Sequence, residues 1–164
     1  MSPVRPDLVE CWVFRVTDGG TVEYLLIRRA PGRIYAGLWQ CVTGGLGPGE
    51  RIPVAALREV AEETGIGGDA TEAFYDLDQV ESFYDEGSDR VLSAVIFALR
   101  VAASAEPALS HEHEEARWVA REEALGLAIW PGYAESFARI ERLVANPEIA
   151  GWFELSPEGR RLRR

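Results

Sequence analysis

The stretch "GGLGPGERIPVAALREVAEETGI", Gly44 to Ile66, decides how the rest of the chain is read. The glycines of "GGLGPG" let backbone approach a ligand closely and adopt positive φ values. Pro53 suits the first turn of a helix and Gly65 suits its end, so the spacing predicts a helix over 53–64. No Ser, Thr or Asp stands just before Pro53 to cap it. On such a helix Glu59, Glu62 and Glu63 share one face within about one turn, roughly 5.4 Å. Leu57, Val60, Ala61 and Thr64 turn more toward the other side, where a core can take them. Three carboxylates on one face repel each other, and a partly buried face needs a strong counter-charge. A divalent cation supplies it, and hard carboxylate oxygens suit Mg²⁺ or Mn²⁺. Arg58, four residues before Glu62, can brace that carboxylate, and Glu50 closes the loop ahead of the helix. A cation cluster beside a backbone cradle is suited to holding a diphosphate.

Working outward, "LVECWVFRVTD" (8–18) and "TVEYLLIRR" (21–29) flank "GG" and read as a β-hairpin. "APGRIYAG" (30–37) is a loop, and "LWQCVT" (38–43) is a short strand entering the glycine stretch. Two further strands are expected over 73–85 and 89–103, around the turn "EGS", and a shorter one over 114–119. "REEALGLA" and 133–146 have helical spacing, with Phe137, Ile140 and Leu143 on one side. Strands and helices mix without strict alternation, which predicts an α/β protein whose mixed sheet is packed between helices.

The 164 residues fit one domain, expected over 1–150, with 151–164 as a C-terminal extension. Its arginine-rich end, "RRLRR", is expected to be a frayed, solvated tail. Cys11 and Cys41 stand in no metal-like spacing and read as small strand or core residues rather than a disulfide. All 17 basic residues are arginine, whose fork pairs two phosphate oxygens at once. A net charge of −10 argues against polymeric nucleic acid as a partner. No apolar run is long enough to span a membrane, the N-terminus carries no hydrophobic targeting segment, and a cytoplasmic location is the expectation.

The opening stretch resembles the Nudix box, G-x5-E-x7-R-E-U-x-E-E-x-G-U with U a bulky aliphatic. Gly44, Glu50, Arg58, Glu59, Val60, Glu62, Glu63, Gly65 and Ile66 fill every specified position. The resemblance implies a mixed sheet between helices and the hydrolysis of a nucleoside diphosphate linked to some other group X. It implies that Glu59, Glu62 and Glu63 bind Mg²⁺ or Mn²⁺, joined by the backbone carbonyl of Gly44. Gly45 would lie in the cradle facing a small-molecule substrate. Glu50 and Arg58 would brace the metal ligands from behind, and Glu59 is one candidate general base. Some members add a fourth glutamate from a later loop, and dimers are common.

"SHEHEEARWVAREEA" (110–124) and "LWQCVTGG" (38–45) resemble the branch of the family that acts on dATP and dihydroneopterin triphosphate. The match rests on Glu112-His113 and Arg117-Trp118. It implies Glu112 as the fourth glutamate, a metal ligand or base, with Glu114 and Glu115 as rivals. His111 and His113 are expected at the surface or in hydrogen bonds. Arg29 resembles an arginine that touches substrate in related triphosphate hydrolases, and a strand-end salt bridge is its other reading. Trp39 either stacks on a base or packs beneath the site. Trp118, Trp130 and Trp152 read as packing. The expected reaction is release of pyrophosphate from a (deoxy)nucleoside or pterin triphosphate. A dinucleoside polyphosphate hydrolase is the alternative, suggested by Tyr84. No proline lies between Pro53 and Pro107, which argues against an ADP-ribose hydrolase. A non-catalytic binding domain is set against the complete set of box glutamates.

Overall fold

The computed structural model describes residues 4–164. Strands β1 (Leu8–Val16), β2 (Val22–Arg29), β3 (Trp39–Gln40) and β4 (Val42–Gly45) precede helix α1 (Ile52–Thr64). Strands β5 (Thr71–Asp85), β6 (Arg90–Val101) and β7 (His113–Val119) follow. Helices α2 (Arg121–Leu127), α3 (Tyr133–Ala145) and α4 (Pro147–Phe153) complete the chain. The strands form one mixed sheet in the order β3-β2-β1-β6-β5, with β4 paired to β1 and β7 to β2. β1 and β6 run parallel and the other pairs antiparallel.

β1 is apolar on both faces because both are covered. Val9, Cys11 and Val13 meet Ala55, Ala56 and Val60 of α1, whereas Trp12 and Phe14 join Phe137 and Ile140 of α3. The predicted sheet between helices is therefore observed. Cys11 and Cys41 are both free and buried, as their neighbours suggested.

The expected hairpin forms over a short length only. Phe14, Arg15 and Val16 pair with Tyr24, Glu23 and Val22. The first half of β1 pairs with β4 instead, Leu8 opposite Gly45 and Val9 opposite Gly44. The strand expected over 38–43 accordingly divides at Cys41, β3 pairing with β2 and β4 with β1. This switch carries the glycine loop to the sheet edge beside α1. α1 begins at Ile52 without a side-chain cap and ends at Gly65, at φ 68°, whose N–H reaches Ala61 O.

α4 was not foreseen, and the arginine-rich end does not fray. Leu155 N–H donates to Phe74 O at 2.7 Å, and Arg161 pairs with Asp76 at 2.7 Å and reaches Trp152 O. Arg51 Nη2 donates to Gly159 O at 2.9 Å, which joins this segment to the start of α1. Trp152, read as packing, packs under Arg163 at the surface and is half-exposed. Leu155 is 7% exposed, so Leu155→Ala should destabilise the protein by about 2–4 kcal/mol. Urea unfolding checks this, and a loss near zero would mean the segment is only laid on the surface. Among the described residues no helix is long and apolar enough to cross a membrane.

Candidate active site

Arg58 is the hub of the glycine loop. Its Nε and Nη2 donate to the two oxygens of Glu50 at 2.8 and 3.0 Å, and Nη2 also reaches Gly45 O at 2.9 Å. Nη1 donates to Glu59 at 2.7 Å and to Glu62 at 3.2 Å. Glu50 also accepts the Gly47 N–H at 2.8 Å. The Arg58 hydrogen bonds, then that N–H, hold the Glu50 carboxyl down at about 2. Glu50 and Arg58 thus brace the loop from behind, by charge-assisted pairing that a flexible ammonium cannot reproduce. Arg58→Lys should cost about 10–100-fold in turnover and lower the melting temperature, measurable by steady-state kinetics and calorimetry.

Gly44 lies directly against Glu59. A Cβ built on Gly44 would fall 2.0 Å from Glu59 Cδ. Burial raises the Glu59 carboxyl above its ordinary value against the pull of Arg58. Glu63 is only 4% exposed, and its Oε2 is buried with no hydrogen-bond partner. Burial first, then the neighbouring Glu59 and Glu112, push its carboxyl up to about 8. Glu62 is more exposed and reaches Arg58.

Glu112 arrives from far along the chain. Ser110 N–H donates to Glu63 O and Ala108 N–H to Thr64 O, pinning the loop before β7 to the end of α1. Glu112 O accepts the Ala30 N–H at 2.9 Å, and Glu112 Oε2 lies 3.5 Å from Arg29 Nη1. Its rivals Glu114 and Glu115 pair with Arg28. His113 is buried, with Nε2 3.2 Å from Gln40 Nε2, and burial pushes its pKa down to about 4. It is a neutral hydrogen-bonding residue, as expected for that pair of histidines.

Among the described residues no three acids stand ready-made at metal-coordinating spacing, and Arg58 holds one oxygen each of Glu59 and Glu62. The donor chemistry nevertheless fits a hard divalent cation. An ionised Glu63 has a buried oxygen with no partner, beside two more carboxylates, and a bound cation would compensate it.

A cleft of about 470 Å³ opens beside Gly44 and Arg29. Glu10, Gln40, Thr43 and Glu81 line it together with the aromatic residues Tyr35, Phe83, Tyr84 and Trp130. Trp39 and Gly45 are not among the described residues that line it. Trp39 is 8% exposed and packs under Arg117 and Arg28, at 5.0 and 5.6 Å. Gly45 gives its carbonyl to Arg58 rather than to the cleft. Trp130, read as packing, lines the cleft, and its Nε1 donates to Trp39 O at 3.1 Å. Trp118 packs under Arg15. Glu10, Glu81 and Tyr35 were not anticipated. For Glu10 the signal was present: a carboxylate inside the apolar run "LVECWVF" has no place in a strand buried on both faces unless something uses it.

A profile of the NUDIX domain matches residues 8–140. Nucleoside triphosphatase NudI of Salmonella schwarzengrund is 33% identical over 105 residues, which cover 61% of this chain and 74% of the relative. A NUDIX hydrolase of Listeria monocytogenes superposes with a TM-score of 0.73 at 26% identity, over 88% of this chain and 97% of that one. The E. coli dihydroneopterin triphosphate pyrophosphohydrolase shares the fold, with a TM-score of 0.66 at 24% identity over 87% and 97% of the two chains. The chain also matches an octanoyltransferase of Myxococcus xanthus, 33% identical over 123 residues, but spans only 33% of that protein's length. This chain belongs to the NUDIX domain family.

Proposed function

We propose that the protein is a divalent-cation-dependent hydrolase that cleaves a (deoxy)nucleoside or pterin triphosphate to a monophosphate and pyrophosphate. The buried, unpartnered Glu63 oxygen beside Glu59 and Glu112 carries this reading, with Gly44, which lies against Glu59, lining a ring-sized cleft. Glu59, Glu62, Glu63, Glu112 and the Gly44 carbonyl would hold Mg²⁺ or Mn²⁺. When bound, the cation supplies neutralisation of phosphate charge and a lower pKa for attacking water. Arg29, at the cleft mouth, holds substrate phosphate oxygens with its guanidinium fork. Glu112 Oε1 takes the proton of the attacking water, with Oε2 steadied by Arg29. The triphosphatase name of the Salmonella relative and the substrate named for the E. coli fold neighbour agree with this substrate class.

Tyr84 on the cleft wall supports the dinucleoside polyphosphate alternative, because a second base could stack there. A phosphate-release screen with Mg²⁺, run with and without added pyrophosphatase, decides between them. Signal on triphosphates that needs the pyrophosphatase supports pyrophosphate release. Turnover confined to diadenosine polyphosphates favours the alternative, and silence on both classes favours a binding domain.

A further inference from the structure

The cleft has an acidic floor that diphosphate chemistry does not require. Glu10 comes from the first half of β1, opposite Thr43, and among the described residues its one side-chain partner is the Cys41 thiol, 3.7 Å from Oε2. Glu81 comes from β5 and is held from behind. Ser136 donates to Gln79 Oε1 at 2.9 Å, and Gln79 Nε2 donates to Glu81 Oε1 at 2.8 Å. Gly132 gives Glu81 room, since a Cβ there would fall 2.8 Å from Glu81 Cδ. Among the described residues Glu10 Oε1 and Glu81 Oε2 receive no hydrogen bond. The two carboxyls are near enough that Glu81 adds to the effect of burial in raising Glu10 to about 7. Both acids line the cleft with an oxygen left open to accept donors from a molecule bound there.

The walls indicate the shape of that ligand. Tyr35 and Trp130 meet edge to face at 5.4 Å in its lining. Phe83 and Tyr84 also line the cleft while remaining 38% and 63% exposed, so their rings have surface free to stack on a flat heterocycle.

We propose that Glu10 and Glu81 select the 2-amino-4-oxopyrimidine edge, shared by guanine and pterins, within this aromatic slot. This rests on the reading that the cleft holds the ring of a triphosphate substrate. That edge places a ring N–H beside an exocyclic amino group, adjacent donors suited to the spare oxygens Glu10 Oε1 and Glu81 Oε2. Adenine and cytosine put a ring-nitrogen lone pair beside the amino group, and thymine flanks one N–H with two carbonyls. Each of these turns an acceptor toward an acid, and discrimination arises as much from that repulsion as from the matched contacts.

The test compares kcat/KM for dGTP, dihydroneopterin triphosphate, dATP, dCTP and dTTP in the wild type, Glu10→Gln and Glu81→Gln. Calorimetric titration with GMP and AMP runs beside it, because binding needs no turnover. The wild type should favour dGTP or the pterin over dATP by about ten- to a hundredfold, and the ratio of the two favoured substrates tells the sources apart. Glu81→Gln should bring the ratio to dATP within about threefold and Glu10→Gln should reduce it, with thermal unfolding as the control for folding. If GMP binds selectively and the variants lose that selectivity, the proposal stands even where no triphosphate is hydrolysed, and only the assigned reaction fails. Equal kcat/KM across the bases, equal binding of GMP and AMP, or a preference that both variants retain, overturns it.

Discussion

Glu63→Gln is expected to lower triphosphate turnover by on the order of 10³-fold while leaving the fold intact. Glutamine has nearly the same volume, and Glu63 sits almost fully buried at the end of α1, so the surrounding packing has no reason to move. The change removes charge where Glu59 and Glu112 already repel it and where burial penalises it. Without divalent cation the variant should therefore be more stable than the wild type above neutral pH. The folded-state pKa of Glu63 lies near 8, above the carboxylate value of the unfolded chain. The stabilisation from that retained proton is fully present below the unfolded pKa and is lost as pH rises toward about 8. The cation-free wild type should lose melting temperature across that window, and Glu63→Gln should flatten the loss. Added Mg²⁺ should raise the wild-type melting temperature at pH 8 and hardly change the variant. Opposite signs for cation-free stability and cation response separate a ligand from a structural acid. A variant that still responds to Mg²⁺ and turns over normally would remove Glu63 from the metal set.

Gly44→Ala is expected to be nearly as damaging for a different reason. The φ of Gly44 is not in the left-handed region, so conformational freedom is not what glycine provides there. Space is: the added Cβ would fall 2.0 Å from Glu59 Cδ and within 2.4 Å of two neighbouring Glu59 atoms. Either Glu59 leaves the site or β4 shifts away from β1, and both disturb the carboxylates. The expected result is at least about a hundredfold loss of turnover with about 1–3 kcal/mol of destabilisation. Gly45→Ala is the matched control, because nothing lies within 4 Å of a Cβ at that position. If the two variants behave alike in kinetics and calorimetry, the close approach at Gly44 has no functional weight.

The Arg58–Glu62 contact and the shared face of Glu59 and Glu63 were legible because helix spacing states them directly, whereas the Arg58–Glu50 pair joins α1 to the loop before it. Residues three and four apart on α1 share a face whatever the remaining chain does, and Gly65 marks where that face ends. The apolar run of β1, the apolar side of α3 and the mixing of strands with helices likewise announced a mixed sheet packed between helices. The sequence by itself therefore determined the acid-bearing helix, its glycine loop and the layered fold. Tertiary structure alone decided the pocket. Glu10, Glu81 and Glu112 come from β1, β5 and the loop before β7, and no local period relates them. Glu10 and Glu81 share the cleft because β1 exchanges its partner from β2 to β4 midway and Gln79 holds Glu81, whereas Glu112 reaches the α1 acids because Ser110 and Ala108 bond to the carbonyls at the end of α1. The same long-range pairing turned Trp39 under Arg117 and brought Trp130 to the cleft. Such contacts depend on strand register and backbone hydrogen bonds between distant segments, which a pattern read along one segment does not encode.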